Sequence, residues 1–130
     1  MPSFDFRARN VWFADEGDGP PLLLIAGLSG RQSFWDALKP RLKPRFRVVS
    51  FDRPGCGESE APCDDLSISD FAALAVALLD RLKIDSTLVV GHSMGGAIAQ
   101  TLALDHASRV SSLVLSSTWA KNDPYFERTF

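Results

Sequence analysis

The spacing of hydrophobic positions changes several times along the chain, and each change predicts a different element. From Phe4 to Asp15 apolar and polar residues alternate loosely, with Phe4, Phe6 and Ala8 against Asp5, Arg7 and Arg9, then Val11-Trp12-Phe13. The turn-rich Glu16-Gly-Asp-Gly-Pro-Pro21 follows, so this segment reads as a hairpin at a sheet edge. Pro21-Leu-Leu-Leu-Ile-Ala26 is a continuous apolar run ending at Gly27, which suits a parallel strand covered on both faces. Ser33 to Leu42 puts Phe34, Trp35, Leu38 and Leu42 on one helical face, with Pro40 weakening the last turn. Phe46-Arg-Val-Val-Ser-Phe51 predicts the next strand, and the Gly and Pro of Asp52-Arg-Pro-Gly-Cys-Gly-Glu-Ser59 predict a loop after it. From Ser67 to Leu82, Ile68, Phe71, Ala75, Leu78, Leu79 and Leu82 recur at helical spacing, and Ser67 with Asp70 resembles a capping box. Thr87-Leu-Val-Val90 is a third buried strand, running into Gly91-His-Ser-Met-Gly-Gly96 and the Ala-rich helix Ala97 to Asp105. Val110 to Leu115 is a fourth.

Strand and helix thus alternate at short spacing, the pattern of an α/β domain with a mainly parallel sheet, flanking helices and right-handed crossovers, preceded by an antiparallel hairpin. Its 130 residues suit a single domain, and 45% hydrophobic with 23% charged residues is a folded composition. The net charge of −2 carries no excess that would suggest nucleic acid or an anionic membrane as a partner. The longest apolar runs, Leu22 to Ala26 and Thr87 to Val90, fall far short of the ~20 residues of a membrane-spanning helix. Met1-Pro-Ser-Phe-Asp-Phe-Arg7 lacks the basic region and apolar core of a secretory signal, so a cytoplasmic address is expected. Cys56 and Cys63 share one Gly/Pro-rich loop and are expected as free thiols. Five basic residues between Lys39 and Arg47 read as a solvated helix end.

The chemistry concentrates at Gly91-His92-Ser93-Met94-Gly95, a G-x-S-x-G motif with a β-branched strand before it and a helix after it. A serine in that context sits on a sharp strand-to-helix turn, where side chains at Gly91 and Gly95 would clash and the hydroxyl is pushed into the open. The Met94 amide, at the helix start, would point toward a developing oxyanion, favoured there by the helix dipole. The competing reading of Ser93 is a helix N-cap after a buried strand. Gly55-x-Gly57 is no dinucleotide fingerprint, because Ser59 and Glu60 stand where the third glycine and a helix would be needed.

With these residues the chain resembles the α/β-hydrolase fold family, in its N-terminal half. Besides the elbow, Ala26-Gly27-Leu28-Ser29-Gly30 looks like the family's oxyanion loop, with Ala26-Gly27 where members usually carry His-Gly. The loop from Asp52 to Ser59 looks like the D-x-R-G-x-G-x-S turn, with Pro54 inserted before Gly55; Asp52 and Arg53 are then expected to tie the loop to the sheet. Gly27-Leu-Ser-Gly with Phe34-Trp35, and the stretch from Ser116 to Tyr125, look most like 3-oxoadipate enol-lactonases and aminoacrylate-type hydrolases. A serine at the elbow argues against epoxide hydrolases and haloalkane dehalogenases, which carry aspartate there. The resemblance implies Ser93 as nucleophile and the backbone amides of Leu28 and Met94 as the oxyanion hole. Gly27, Ser29, Trp35 and Trp119 are candidates for contact with substrate. Trp35, Trp119, Tyr125 and Phe126 could line an acyl or lactone pocket, but aromatics next to a sheet are more often core.

A serine triad in this fold follows the order Ser, acid, His, with both partners well after the nucleophile. His92 lies inside the elbow, and His106, thirteen residues beyond Ser93 at about 1.5 Å each, is roughly 19 Å along the helix. Half an active site is therefore expected, on a chain that stops before the cap region and the triad acid and histidine. The length is expected to be engineered, nicked from a longer enzyme, or a natural truncation. The leading expectation is a serine hydrolase of a small ester, thioester or lactone, with base and acid from a C-terminal segment or second chain of the same protein. No metal or organic cofactor is implied. The alternative is a catalytically inactive domain whose exposed sheet edge serves association.

Overall fold

A computed structural model describes residues 2–121. Six strands form one sheet: β1 (Ser3–Phe6), β2 (Arg9–Glu16), β3 (Pro21–Ile25), β4 (Arg47–Phe51), β5 (Thr87–His92) and β6 (Val110–Ser116), in the order β1-β2-β4-β3-β5-β6. β1 and β2 are the antiparallel hairpin at one edge, and β2 joins β4 antiparallel; the pairs β4–β3, β3–β5 and β5–β6 are parallel. This is the mainly parallel α/β sheet that the alternation predicts. β3 is flanked on both sides, so both of its faces need cover, which is the physical meaning of its unbroken Leu-Leu-Leu-Ile run.

The register puts Leu23, Val49 and Val89 side by side on one face and Leu22, Val48 and Leu88 on the other. The first face packs under α2 (Ile68–Arg81) and α3 (Met94–Asp105), in a core that includes Phe71, Leu74, Leu78, Ile98 and Leu102. α2 starts where the sequence predicts: the Asp70 amide donates to Ser67 Oγ at 3.2 Å, and the Ser67 amide donates to Asp70 Oδ2 at 2.8 Å. The second face holds a smaller core of Leu22, Leu24, Ala26, Trp35 and Val48.

Two expectations need correction on that second side. Ser33 to Leu42 is not one helix but a 3₁₀ turn over Gln32–Trp35 and a single α-helical turn, α1 (Lys39–Leu42). A helix through Asp36 would need a Pro40 N–H that does not exist, so the chain bonds three residues back until Arg41 and restarts with Pro40 in the first turn of α1. Trp35 is buried, but Phe34 and Leu38 are 47% and 39% exposed, so the expected apolar face is not formed. Nor is the basic run solvated throughout. Lys39 is 5% exposed, its Nζ bonded to Gln32 Oε1 and 3.9 Å from Glu16, while Arg47 forms a two-pronged pair with Asp15 at 2.8 and 2.7 Å. Burial lowers the Lys39 pKa, opposed mainly by Glu16.

β6 is the other sheet edge, as the sequence predicts, with Val114 and Leu115 48% and 42% exposed. Among the described residues no helix is long and apolar enough to cross a membrane. Both cysteines are free. Tyr125 and Phe126 lie outside the described residues.

Candidate active site

β5 delivers Ser93 to the carboxyl end of the sheet, and α3 starts at Met94, three residues earlier than the Ala-rich pattern predicts. Ser93 therefore carries the whole change of direction, with φ 54° and ψ −121°, a conformation that costs a non-glycine residue about 1–3 kcal/mol. The surroundings hold it there. Its amide donates to Ser116 O on β6 at 3.0 Å, and its carbonyl accepts from the Gly96 amide at 2.8 Å and from Thr118 Oγ1 at 2.7 Å. Its side chain makes no capping bond to α3, so the N-cap hydrogen bond of the competing reading is not made.

Close packing explains the glycines. A Cβ on Gly95 would fall 2.1 Å from Ile25 O, and one on Gly91 would fall 2.5 Å from Gly95 O, so only bare backbone lets α3 meet β3 and β5 this closely.

The second turn, after β3, comes up against the first. A Cβ on Gly27 would lie 3.1 Å from Ser93 Cβ and 3.7 Å from Ser93 Oγ. Leu28 and Ser29 are exposed, whereas Gly27 and Gly30 are buried. Arg53, 3% exposed, holds this turn from the loop after β4: Nη1 donates to Ala26 O at 2.9 Å, Nη2 donates to Gly27 O, and the Arg53 amide donates to Gly30 O at 2.8 Å. Its guanidinium also lies over the Phe71 ring, 5.4 Å from the centroid. Burial lowers the Arg53 pKa, opposed chiefly by Cys56. Asp52 completes the clamp, accepting from the Gln32 amide at 2.7 Å and the Glu58 amide at 3.0 Å. Asp52 and Arg53 thus tie the loop to the sheet, as expected of them.

The remaining candidates separate. Trp35 sits in the second core, 6% exposed, with an indole nitrogen that has no partner among the described residues. Trp119 is half-buried, its carbonyl accepts from Gln100 Nε2 at 2.8 Å, and it lines a cavity of about 270 Å³ beside α3. His92 Nδ1 lies 3.3 Å from Ser116 Oγ, and its ring stacks on Phe34 with centroids 5.0 Å apart. His106 is at the far end of α3, its amide bonded to Leu102 O. Thr118, which holds the Ser93 carbonyl, escaped sequence reasoning: it lies in an aperiodic stretch and nothing local marks it.

The family profile for the alpha/beta hydrolase fold matches residues 20–130. A protein named "Putative carbamate hydrolase RutD" from Azorhizobium caulinodans is 33% identical over 130 residues, covering 100% of this chain and 49% of that protein. Among solved structures, a hydrolase from Pseudomonas aeruginosa PA01 superposes with a TM-score of 0.91 at 28% identity, over 97% of this chain and 49% of the other. The enol-lactonase from Burkholderia xenovorans LB400 superposes with a TM-score of 0.85 at 30% identity, over 90% of this chain and 46% of the other. The chain spans about half the length of the relatives it matches.

Proposed function

This chain belongs to the alpha/beta hydrolase fold family, and from that premise we propose that it carries the nucleophile half of a serine hydrolase for a small ester, thioester or lactone. The observation that carries this reading is the Ser93 backbone, forced into φ 54° at the mouth of α3 with Gly27 against its side chain. Strain at a non-glycine residue, held by three hydrogen bonds beside the second turn, supports a residue placed for reactivity.

In this mechanism Ser93 Oγ attacks the substrate carbonyl carbon as its proton passes to a general base. The carbonyl oxygen takes the negative charge, and the amides of Leu28 and Met94 donate to it. Collapse of the tetrahedral adduct breaks the bond to the leaving group, which takes the proton from the base. Water then repeats the sequence on the acyl-serine and releases the acid. His92 is engaged with Ser116 and Phe34, and His106 lies at the far end of α3 from Ser93. In this reading the base and its acid partner are supplied by a further segment of the protein, a reading supported by relatives of about twice this length.

A fluorophosphonate, which Ser Oγ attacks with loss of fluoride, tests this in the presence of a complementing C-terminal segment. Stoichiometric labelling by intact mass, abolished in Ser93→Ala, is the expected result; an unlabelled wild-type chain overturns it. Exposure of Leu104 (82%), Val114 and Leu115 along α3 and β6 favours a second reading, association through this edge. That reading gains if the complemented chain binds the segment and stays unlabelled.

A further inference from the structure

Beside the two turns lies an open pocket of about 310 Å³, lined in part by residues of the loop from Arg53 to Leu66. Its lining includes Leu28 and Met94, the residues that supply the proposed oxyanion amides, together with Leu66, Phe71, Cys56 and Cys63. Both thiols are half-buried and seated on backbone: a Cβ on Gly30 would fall 2.5 Å from Cys56 Sγ, and one on Gly55 would fall 2.8 Å from Cys63 Sγ. Leu28 is 55% exposed, a large apolar side chain left uncovered at this point of the surface.

Resting on Ser93 as the nucleophile, the geometry points to this cavity as the subsite for a short, neutral, apolar acyl chain, with Cys56 and Cys63 as its walls. Leucine, phenylalanine, methionine and polarizable thiols offer dispersion contacts and little hydrogen bonding. The two ionic groups on the lining do not favour an acidic tail. Arg53 is spent on the Ala26 and Gly27 carbonyls and the Phe71 ring, and the exposed Asp64 carboxylate repels a second anion. The volume stands at the small end of ligand pockets, roughly 300–1,000 Å³, which sets the chain length low.

The experiment uses two phosphonofluoridates, one with a methyl and one with a hexyl group on phosphorus. Each is reacted with the complemented chain and followed by iodoacetamide, with the sites read by peptide mass spectrometry. The hexyl adduct on Ser93 is expected to slow alkylation of Cys56 and Cys63 by about tenfold relative to the methyl adduct, because the chain fills the space between them. Cys63→Phe fills that space permanently, so it should slow labelling of Ser93 by the hexyl reagent and leave labelling by the methyl one unchanged. Equal alkylation of both cysteines behind hexyl and methyl adducts overturns the subsite while leaving the nucleophile standing. Absence of a methyl adduct on Ser93 removes the nucleophile and this inference with it.

Discussion

Two turns meet at Ser93, and they are held in place by different physics. Around the turn after β5, exclusion of atoms is added to the three hydrogen bonds on the Ser93 backbone: Gly91 and Gly95 leave no room for a Cβ, and the chain reverses into α3 through the strained Ser93. The turn after β3 is held by attraction. A buried guanidinium from the loop after β4 draws the Ala26 and Gly27 carbonyls inward, which leaves Leu28 and Ser29 facing outward. Steric exclusion is short-ranged and tolerates almost no substitution, whereas a charge-assisted hydrogen bond spans a gap and can be weakened by degrees.

The largest effect is expected on the sterically held side. Gly95→Ala gains up to about 1 kcal/mol of helix propensity, but its Cβ would meet Ile25 O at 2.1 Å, backbone that cannot swing away. A net loss of about 3 kcal/mol is expected, seen as a fall in melting temperature of roughly 10 °C or more. A variant as stable as wild type would show that α3 can slide, and the contrast with the β3 turn would collapse.

Arg53→Met comes next. It removes the guanidinium from two inward carbonyls, of which Gly27 O keeps the Gly30 amide, but also relieves the burial of a cation, so a loss of about 2 kcal/mol is expected in denaturant unfolding. The sharper readout is local: amide exchange should accelerate at Gly30, which bonds Gly27 O, and stay unchanged at Gly96, which bonds Ser93 O. Equal acceleration at both would mean that the two turns form one mechanical unit.

The smallest effect belongs to the α2 cap, whose hydrogen bonds reach neither turn. Bonds from the Ser67 amide, then from Arg7 and the Ser67 hydroxyl, lower the Asp70 pKa from 3.8 to about 2. A depressed carboxylate stabilises the fold fully above its unfolded pKa, and that contribution fades as pH falls from about 4 toward 2. Asp70→Asn should therefore flatten the acid limb of the melting-temperature profile and leave amide exchange at both turns untouched. The group lies at the surface, half-buried and within reach of solvent, so the change should be modest.

The elements at the centre of the molecule were legible because their burial is two-sided or strongly periodic: the run at β3, the helical spacing of α2 with its capping box, and the strand–elbow–helix around Ser93. The segment from Ser33 to Leu42 misled, because an apolar spacing that fits one helix spans a proline that breaks it, and two of its four apolar residues remain exposed. Lys39 misled for a related reason. A lysine in a basic run reads as solvated until Glu16, at the end of β2, is brought beside it.

By itself the sequence determined the α/β alternation, the hairpin edge and the position of the elbow, because each rests on neighbours a few residues apart, where chain geometry alone sets the spacing. Only the tertiary structure decided what fixes the two turns in register. The contacts of Arg53 with Ala26 and Gly27, of Thr118 with the Ser93 carbonyl, and of Gly27 with Ser93 join segments twenty-five or more residues apart. No local pattern encodes them; they follow from the strand order, which sets β3 between β4 and β5 and brings all three carboxyl ends to one place.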